Sequence, residues 1–294
     1  MTTEVAAPEK TVVDAALAKC GEISTLPEVT ARIIELVEDK SSTARDMHEV
    51  IKTDPALSAR VLKVVNSAFY GLPGQIASVD RAIVLLGLSA VKNIAIAASI
   101  SRMFKAQQMG GGFTAKDLWR HSVAVGVGGR LIARTVGHQG AADELFLAGL
   151  LHDIGVMVEW QAFPEKVIEV VERCTTGCGS FLELEAQVIG ADHQAFGNGL
   201  TAKWKFPRNL RAVVGMHHNP ERLSPELQSL GYLIRLADVI CCQDKIGFHL
   251  TAADVEITDE MLDAVGLPRD QMDEVVETLH AELDAAESSL SSEE

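Results

Sequence analysis

The stretch LFLAGLLHDIG, residues 145–155, places a histidine and an aspartate inside an otherwise apolar pattern of helical length. Seven apolar or small residues precede His152 and Asp153. Burying the Asp153 carboxylate without a partner would carry a large desolvation penalty. The pattern predicts a buried helix over Asp143–Trp160 in which a metal ion or a hydrogen-bonding histidine satisfies Asp153.

Helical patterns recur on both sides of this stretch. Asp54 and Pro55 open one helix, and Thr114 with Asp117 resembles a capping box. Alternating apolar and polar runs of strand length are nearly absent. The sequence therefore predicts an all-α fold.

The glycine run Gly110–Gly112 divides this helical pattern and predicts a flexible connection. Residues 89–104 are too apolar to face water, so the two halves should pack together. We expect four parts: a flexible arm over residues 1–14, an N-terminal helical lobe over 15–109, a second lobe over 113–248 and an acidic helical tail over 249–294.

The charge is concentrated at the C-terminal end. The 294 residues carry a net charge of -15, and residues 251–294 contain 14 acidic residues against one basic residue, Arg269. No basic block of the kind that binds nucleic acid occurs, so we expect no direct nucleic-acid binding. Within the tail, Gln271–Ala285 is amphipathic. Packing on the body is favoured there over partner binding, and residues 288–294 are expected to be disordered.

The N-terminal and cysteine patterns predict a cytoplasmic protein. The first ten residues have no apolar signal core, and no apolar run is long enough to span a membrane. The five cysteines are odd in number and irregularly spaced, which favours free thiols over disulfides. Cys174 and Cys178 could hold a metal ion together, but free thiols are the preferred interpretation.

Five histidines and two aspartates form an ordered series in the second half, in groups spaced 20–40 residues apart. They are His121, His152, Asp153, His193, His217, His218 and Asp238. Such gaps suit successive helices that each bring a ligand to one interior point. Imidazole and carboxylate groups bind Zn, Mn, Fe or Ni, and seven of them could hold two ions bridged by Asp153. Ordinary buried histidines remain the alternative, and the other four histidines receive no functional assignment.

The series resembles the H…HD…D order of the HD superfamily of metal-dependent phosphohydrolases, and with His193, His217 and His218 its binuclear HD-GYP class. The segments 53–57, 66–71, 82–87, 204–207 and 217–220 narrow the resemblance to the HDOD family over roughly residues 17–245. That resemblance implies a two-lobed helical bundle with an HD-type core. It also implies a bacterial signal-transduction output module that binds signalling proteins.

Two departures bear on catalysis. The phosphodiesterase class has a lysine after His-Asp-x-Gly, where this chain has Val156, and it has a Gly-Tyr-Pro segment where this chain continues with Asn219 and Pro220. We therefore favour an output module that binds a metal ion and a cyclic dinucleotide or another phosphorylated ligand. The alternative is an active metal-dependent phosphohydrolase in which Asp153 is catalytic. A purely structural helical scaffold ranks last, because it leaves Asp153 and Asp238 unexplained.

Overall fold

The computed structural model describes residues 8–290 apart from residues 22, 24, 39–40 and 105–106. Its main elements are α-helices, which confirms the all-α prediction. None of the described helices is both long enough and apolar enough to cross a bilayer.

The described residues of the first half form a cluster of six helices. They are α1 (Pro8–Lys19), α2 (Glu28–Glu38), α3 (Ala44–Ile51), α4 (Pro55–Val65), α5 (Val79–Leu86) and α6 (Leu88–Ile100). Asp54 caps α4 by accepting a hydrogen bond from the Leu57 amide, as the Asp-Pro pair predicts. Helix α6 is the centre of this half, since it packs on α2, α4 and α5.

The second half is arranged around one long helix. Its helices are α7 (Ala115–Thr135), α8 (Ala142–Leu151), α9 (Ile154–Ala162), α10 (Pro164–Thr175), α11 (Phe181–Val188), α12 (His193–Lys203), α13 (Arg208–Met216) and α14 (Pro225–Gln243). Helices α8 and α14 pack on the long helix α7. Short 3-10 turns lie at Ser101–Met103, Gln139–Ala141 and Pro220–Arg222. Thr114 and Asp117 form the predicted capping box of α7.

The two halves share one core. Helix α6 packs on α8, and α1 packs on α9 and α12. Asn93 of α6 donates a hydrogen bond from Nδ2 to the Asp143 carbonyl at 2.7 Å. The apolar character of residues 89–104 is thereby explained, because this segment is buried from both sides.

The expected flexible arm is partly helical. Residues 8–14 belong to α1, where Val13 is buried. Val13 packs closely against α12, because a Cβ added to Gly199 would lie only 2.7 Å from the Val13 Cγ1. Residues 1–7 of the expected arm lie outside the described residues.

The glycine run forms a tight hairpin instead of an open linker. Strands β1 (Gln108–Gly110) and β2 (Phe113–Thr114) pair antiparallel, and Gly110, Gly111 and Gly112 all have positive φ angles. The backbone of Gly110 and Gly111 also lies against α10, so that an added Cβ would meet Ile168 and Val171. Glycine is needed here for a defined turn and a close approach, rather than for freedom of movement.

The expected helix over Asp143–Trp160 is broken in the middle. Helix α8 ends at Leu151, and α9 begins at Ile154. Asp153 leaves the helical region with φ -98° and ψ 14°. Apolar periodicity did not reveal this turn, because buried residues continue on both sides of it.

The acidic tail is folded onto the body. It contains α15 (Asp259–Val265) and α16 (Arg269–Leu290), and α16 packs on α7 and α4. Leu279 and Leu283 are buried, which agrees with the favoured packing interpretation. Disorder was wrongly expected for residues 288–290, since Leu290 is buried at the end of α16. Residues 291–294 lie outside the described residues.

Candidate metal centre

The structure brings all seven residues of the histidine and aspartate series into one cluster. His121 lies on α7, His152 and Asp153 between α8 and α9, His193 at the start of α12, His217 and His218 after α13, and Asp238 on α14. The His218 side chain is 3% exposed, and the other six side chains are 0% exposed.

Asp153 lies at the centre of the cluster. Its Oδ2 is 3.3 Å from Nε2 of His152 and 3.7 Å from Nε2 of His121. Its Oδ1 is 3.2 Å from Nε2 of His193 and 3.4 Å from Nε2 of His217. Each carboxylate oxygen therefore faces a different pair of imidazoles, which is the arrangement that a bridging ligand requires.

Asp238 completes the side of the cluster that contains His121 and His152. Its Oδ1 is 3.3 Å from the Nε2 of His121 and 3.8 Å from that of His152. The Cys242 thiol donates a hydrogen bond to the same oxygen at 3.4 Å. Burial and the nearby Asp238 raise the pKa of Cys242 well above its usual range, so this thiol acts as a donor here.

Four histidines share a second contact that directs Nε2 into the cluster. In each, Nδ1–H donates to an oxygen outside the cluster, which leaves the lone pair of the neutral ring on Nε2. The acceptors are the Ile246 carbonyl for His121 at 3.2 Å, the Gly149 carbonyl for His152 at 2.7 Å, the Glu185 carboxylate for His193 at 2.8 Å and the Val214 carbonyl for His217 at 2.9 Å.

Several polar atoms of the cluster lack hydrogen-bond partners among the described residues. They are both carboxylate oxygens of Asp153 and the Nε2 atoms of His121 and His152. Buried polar groups are normally satisfied, and unsatisfied ones indicate an absent ligand or ion. The donor set of imidazole nitrogens and carboxylate oxygens fits a divalent transition metal.

The negative charges of two carboxylates, Asp153 and Asp238, are balanced in the cluster by the protonated imidazoles of His152 and His193. Burial disfavours a proton on His152, but Asp153 and Asp238 outweigh it and raise the pKa of His152 to about 10. Burial acts in the same way on His193, and Glu185 with Asp153 raises its pKa to about 9. Burial raises the pKa values of Asp153 and Asp238, but the surrounding imidazoles outweigh it and hold both well below the usual range. One divalent ion could replace the two imidazole protons without changing the total charge.

Two charged residues that the sequence analysis missed also contact the cluster. Glu185 binds His193, and Arg235 donates from Nη1 to Asp238 Oδ2 at 3.3 Å and to His218 Nδ1. Arg235 had a visible signal, because it is a charged residue in an apolar helix three positions before Asp238. Glu185 had no such signal.

A fourth buried carboxylate, in addition to those of Asp153, Asp238 and Glu185, lies near the cluster. Glu159 of α9 is 0% exposed, and neither of its carboxylate oxygens has a hydrogen-bond partner among the described residues. Burial and the nearby Glu185 raise the pKa of Glu159 well above its usual range. The raised pKa favours the protonated, neutral form of Glu159.

Comparison with known sequences places this architecture in a family. The sequence profile of the HDOD domain matches residues 23–220. The chain is also 24% identical over 217 residues to an uncharacterised protein of Treponema pallidum (strain Nichols). That match covers 71% of this chain and 42% of the relative, so the chain spans less than half of the relative's length.

Solved structures share the fold. A candidate phosphohydrolase from Shewanella amazonensis SB2B superposes with a TM-score of 0.73 at 24% identity, covering 94% of this chain and 98% of that one. A candidate signal transduction protein from Marinobacter aquaeolei VT8 gives a TM-score of 0.77 at 22% identity, covering 96% of this chain and 65% of that one. Identities this low establish the similarity of fold and no more.

Proposed function

This chain belongs to the HDOD domain family, and we propose on that premise that it is a signal-transduction module whose buried His/Asp cluster binds a divalent transition metal. The observation that carries the proposal is the position of Asp153. Both of its oxygens are buried without a hydrogen-bond partner among the described residues, and each faces two imidazole nitrogens. A bound cation would satisfy all of these atoms at once.

The donor atoms fall into two groups that share Asp153. One group consists of His121, His152, Asp153 and Asp238, and the other consists of Asp153, His193, His217 and His218. This division supports one ion or a bridged pair of ions, with Fe, Mn, Ni and Zn as the candidates. When bound, such an ion would polarise a phosphoryl oxygen and lower the pKa of a water molecule.

Burial of the cluster favours ligand binding over rapid turnover of a large substrate. Six of the seven side chains are 0% exposed, so a cyclic dinucleotide would need the helices to move before it reached Asp153. Val156 is also buried at the position where a lysine would contribute positive charge. We therefore assign the centre to binding a phosphorylated ligand, with slow or no hydrolysis of cyclic dinucleotides.

Phosphohydrolase activity is the second candidate, and the completeness of the cluster favours it. All seven positions expected for a metal-dependent hydrolase are present and lie together. The similar structure from Shewanella amazonensis is itself a candidate phosphohydrolase. In this case the centre would act on a small phosphoester, with Asp153 as its essential residue.

Metal analysis of protein purified without chelator tests the metal-binding part of the proposal. We expect about one to two transition-metal ions per chain in the wild type, and loss of most of them in Asp153→Asn. The matched control is Asp54→Asn, because Asp54 is a helix cap in the first half and lies outside the cluster. Failure of the wild type both to retain metal and to take it up on reconstitution would overturn the proposal.

A screen of phosphoesters with metal-loaded protein then separates the two candidates. Slow or absent turnover of cyclic dinucleotides, with metal present, supports the binding module. Robust hydrolysis that is lost in Asp153→Asn would establish the phosphohydrolase instead.

Partner proteins and a cytoplasmic location are further parts of this proposal. Helix α5 offers the feature best suited to a partner, since Val84 is 71% exposed and Leu85 is 40% exposed. Exposed apolar pairs of this kind occur at protein interaction sites. Crosslinking in cells should capture the same partners with the wild type and with Asp153→Asn, and should lose them with Val84→Ser/Leu85→Ser.

A further inference from the structure

A cleft between the two halves of the protein lies outside the metal cluster. Its lining side chains come from α6, from the start of α8 and from the segment that joins α12 to α13. Its volume is about 250 Å³. Pockets for drug-sized ligands usually measure about 300–1,000 Å³, so the size of this cleft suits a smaller metabolite.

The entrance of the cleft is polar and carries both signs of charge. Helix α6 contributes Ser89 and Lys92, and α8 contributes Asp143 and Glu144. Ser89 and Glu144 are exposed, whereas Lys92 and Asp143 are half-buried. A ligand in the cleft would meet one ammonium group and two carboxylates. A small molecule that itself carries both a negative and a positive group is therefore the best electrostatic complement.

The floor of the cleft is apolar. Ile96 of α6 and Leu147 of α8 each lie about one helical turn beyond the polar residues of the entrance, and both are buried. Phe206 and Leu210 complete the floor and are 3% and 4% exposed. The turn after α12 holds Phe206 in place, because its amide donates a hydrogen bond to the Thr201 carbonyl at 3.0 Å. This floor suits an apolar side chain of a bound ligand.

One buried polar atom in the lining lacks a partner. Asn93 is 5% exposed and donates from Nδ2 to the Asp143 carbonyl at 2.7 Å. Its Oδ1 has no hydrogen-bond partner among the described residues. The donation by Nδ2 fixes the orientation of the amide, so the remaining atom is an acceptor. A buried acceptor is normally satisfied, and this one would be satisfied by a ligand that supplies an N–H donor.

Donors for a negative group lie on the α6 side of the cleft. Helices α6 and α13 both begin there, and their N-cap residues Gly87 and Pro207 make no side-chain capping hydrogen bond. Uncapped N–H groups in the first turn of a helix attract an anion. Lys92 adds a positive charge on the same side, so this side of the cleft suits a carboxylate.

We propose that this cleft is a binding site for a free α-amino acid with an apolar side chain. The carboxylate of the ligand lies toward Lys92 and the start of α6. Its ammonium group has three donors, which face Asn93 Oδ1 and the carboxylates of Asp143 and Glu144. The apolar side chain of the ligand occupies the floor beside Phe206.

The amino-acid site is separate from the metal cluster. Helix α8 begins at the cleft and ends next to His152, and α13 begins at the cleft and ends next to His217. Helices of this length span about 13–15 Å. The inference therefore goes beyond the proposed metal-binding function and does not depend on it. It also gives a function to the segment 204–207, which the metal cluster does not use.

Calorimetric titration of the whole chain with apolar amino acids tests the proposal. The probes are L-valine, L-leucine, L-isoleucine, L-methionine and L-phenylalanine. At least one of them should bind with a Kd below about 1 mM, and EDTA should leave the affinity unchanged because the cleft needs no metal ion. Failure of all five to bind would overturn the proposal. Binding that is lost in EDTA would also overturn it, because the amino acid would then be held by a metal ion.

Two analogues of the tightest-binding amino acid test the recognition of both charges. One analogue lacks the ammonium group and the other lacks the carboxylate; for leucine these are isocaproate and isopentylamine. Each should bind to the wild-type protein at least about tenfold more weakly than the amino acid, because each leaves one side of the entrance without its charged partner. An analogue that binds as tightly as the amino acid would show that only one charge is recognised, and the proposal would be wrong.

Variants of the charged side chains test whether the amino acid binds in the cleft. Lys92→Met and the double variant Asp143→Asn/Glu144→Gln should each weaken binding by about tenfold or more. The controls Lys166→Met and Glu172→Gln are exposed on α10 outside the cleft and should bind like the wild type. Thermal unfolding would identify a variant that fails to fold, and the analogue series then decides, since it uses only the wild type. Wild-type affinity in both cleft variants would contradict the proposed site.

Discussion

The backbone carbonyl of His193 occupies the space where a side chain on Gly155 would begin. A Cβ built on Gly155 would lie 1.9 Å from that carbonyl oxygen and 2.7 Å from the Gly197 amide nitrogen. Gly155 is two residues after Asp153, and His193 is the first residue of α12. The absence of a side chain at 155 therefore lets α12 bring His193 to 3.2 Å from Asp153.

Gly155→Ala should separate these two helices and disrupt the metal centre. The clash is with backbone atoms, so we expect a loss of about 1–3 kcal/mol in the free energy of unfolding, as for other overpacked cores, together with reduced metal content. Denaturant unfolding and metal analysis measure the two effects. Gly140→Ala is the control, because no atom lies within 4 Å of its added Cβ. Wild-type metal content and stability in Gly155→Ala would contradict the packing argument.

Metal uptake should become stronger as pH rises. Without metal, the pKa values of His152 and His193 are raised to about 10 and about 9. Both rings therefore carry an extra proton at neutral pH, which a metal ion must displace. Between pH 6 and 8 the affinity should increase by up to about tenfold per pH unit for each proton displaced. Zinc titration in buffers of different ionisation enthalpy should show release of about two protons. Affinity independent of pH would show that the two rings carry no extra proton for the metal ion to displace.

Replacing Glu159 by glutamine should stabilise the protein, and more so as pH rises. The folded-state pKa of Glu159 is raised well above its usual value. The unfolded chain therefore ionises first as pH increases, and the folded state loses stability between the unfolded and folded pKa values. Each pH unit in that window corresponds to up to about 1.4 kcal/mol, and Glu159→Gln removes this loss.

Chemical denaturation at pH 5 and pH 8 measures the effect of Glu159→Gln. The stability advantage of the variant should be larger at pH 8. The exposed Glu172→Gln is the control, with an expected change within about 0.5 kcal/mol. Equal stabilities of Glu159→Gln and the wild type at both pH values would contradict a raised pKa of Glu159 in the folded protein.

The acidic tail should contribute to the stability of the whole chain. Leu279 of α16 is 0% exposed. It packs on α7 beside Gly128, where an added Cβ would lie 3.8 Å from the Leu279 Cδ2. Leu279→Ala should therefore destabilise the protein by about 2–5 kcal/mol, as for other buried leucines. Thermal unfolding checks this value, with the exposed Glu274→Ala as the control. A Leu279→Ala variant as stable as this control would mean that α16 is not part of the cooperative fold.

The local sequence pattern was sufficient to predict the helices and to identify the candidate site residues. Apolar spacing and capping residues identified elements such as α4 and α7, because helix formation depends on contacts within a few residues. Asp153 and Asp238 stood out because a carboxylate in an apolar helix needs a partner. The family resemblance then related these residues to a metal site, and the family match over residues 23–220 confirms the family.

Only the tertiary structure decided how those residues meet. Three features depend on contacts between segments or on backbone turns that apolar periodicity does not encode. They are the break between α8 and α9, the hairpin at Gly110–Gly112 and the contact between Arg235 and His218. The chain alone thus established a helical protein with a set of candidate metal ligands. The division of that set around Asp153 arises from side-chain directions, which become defined only when distant helices pack.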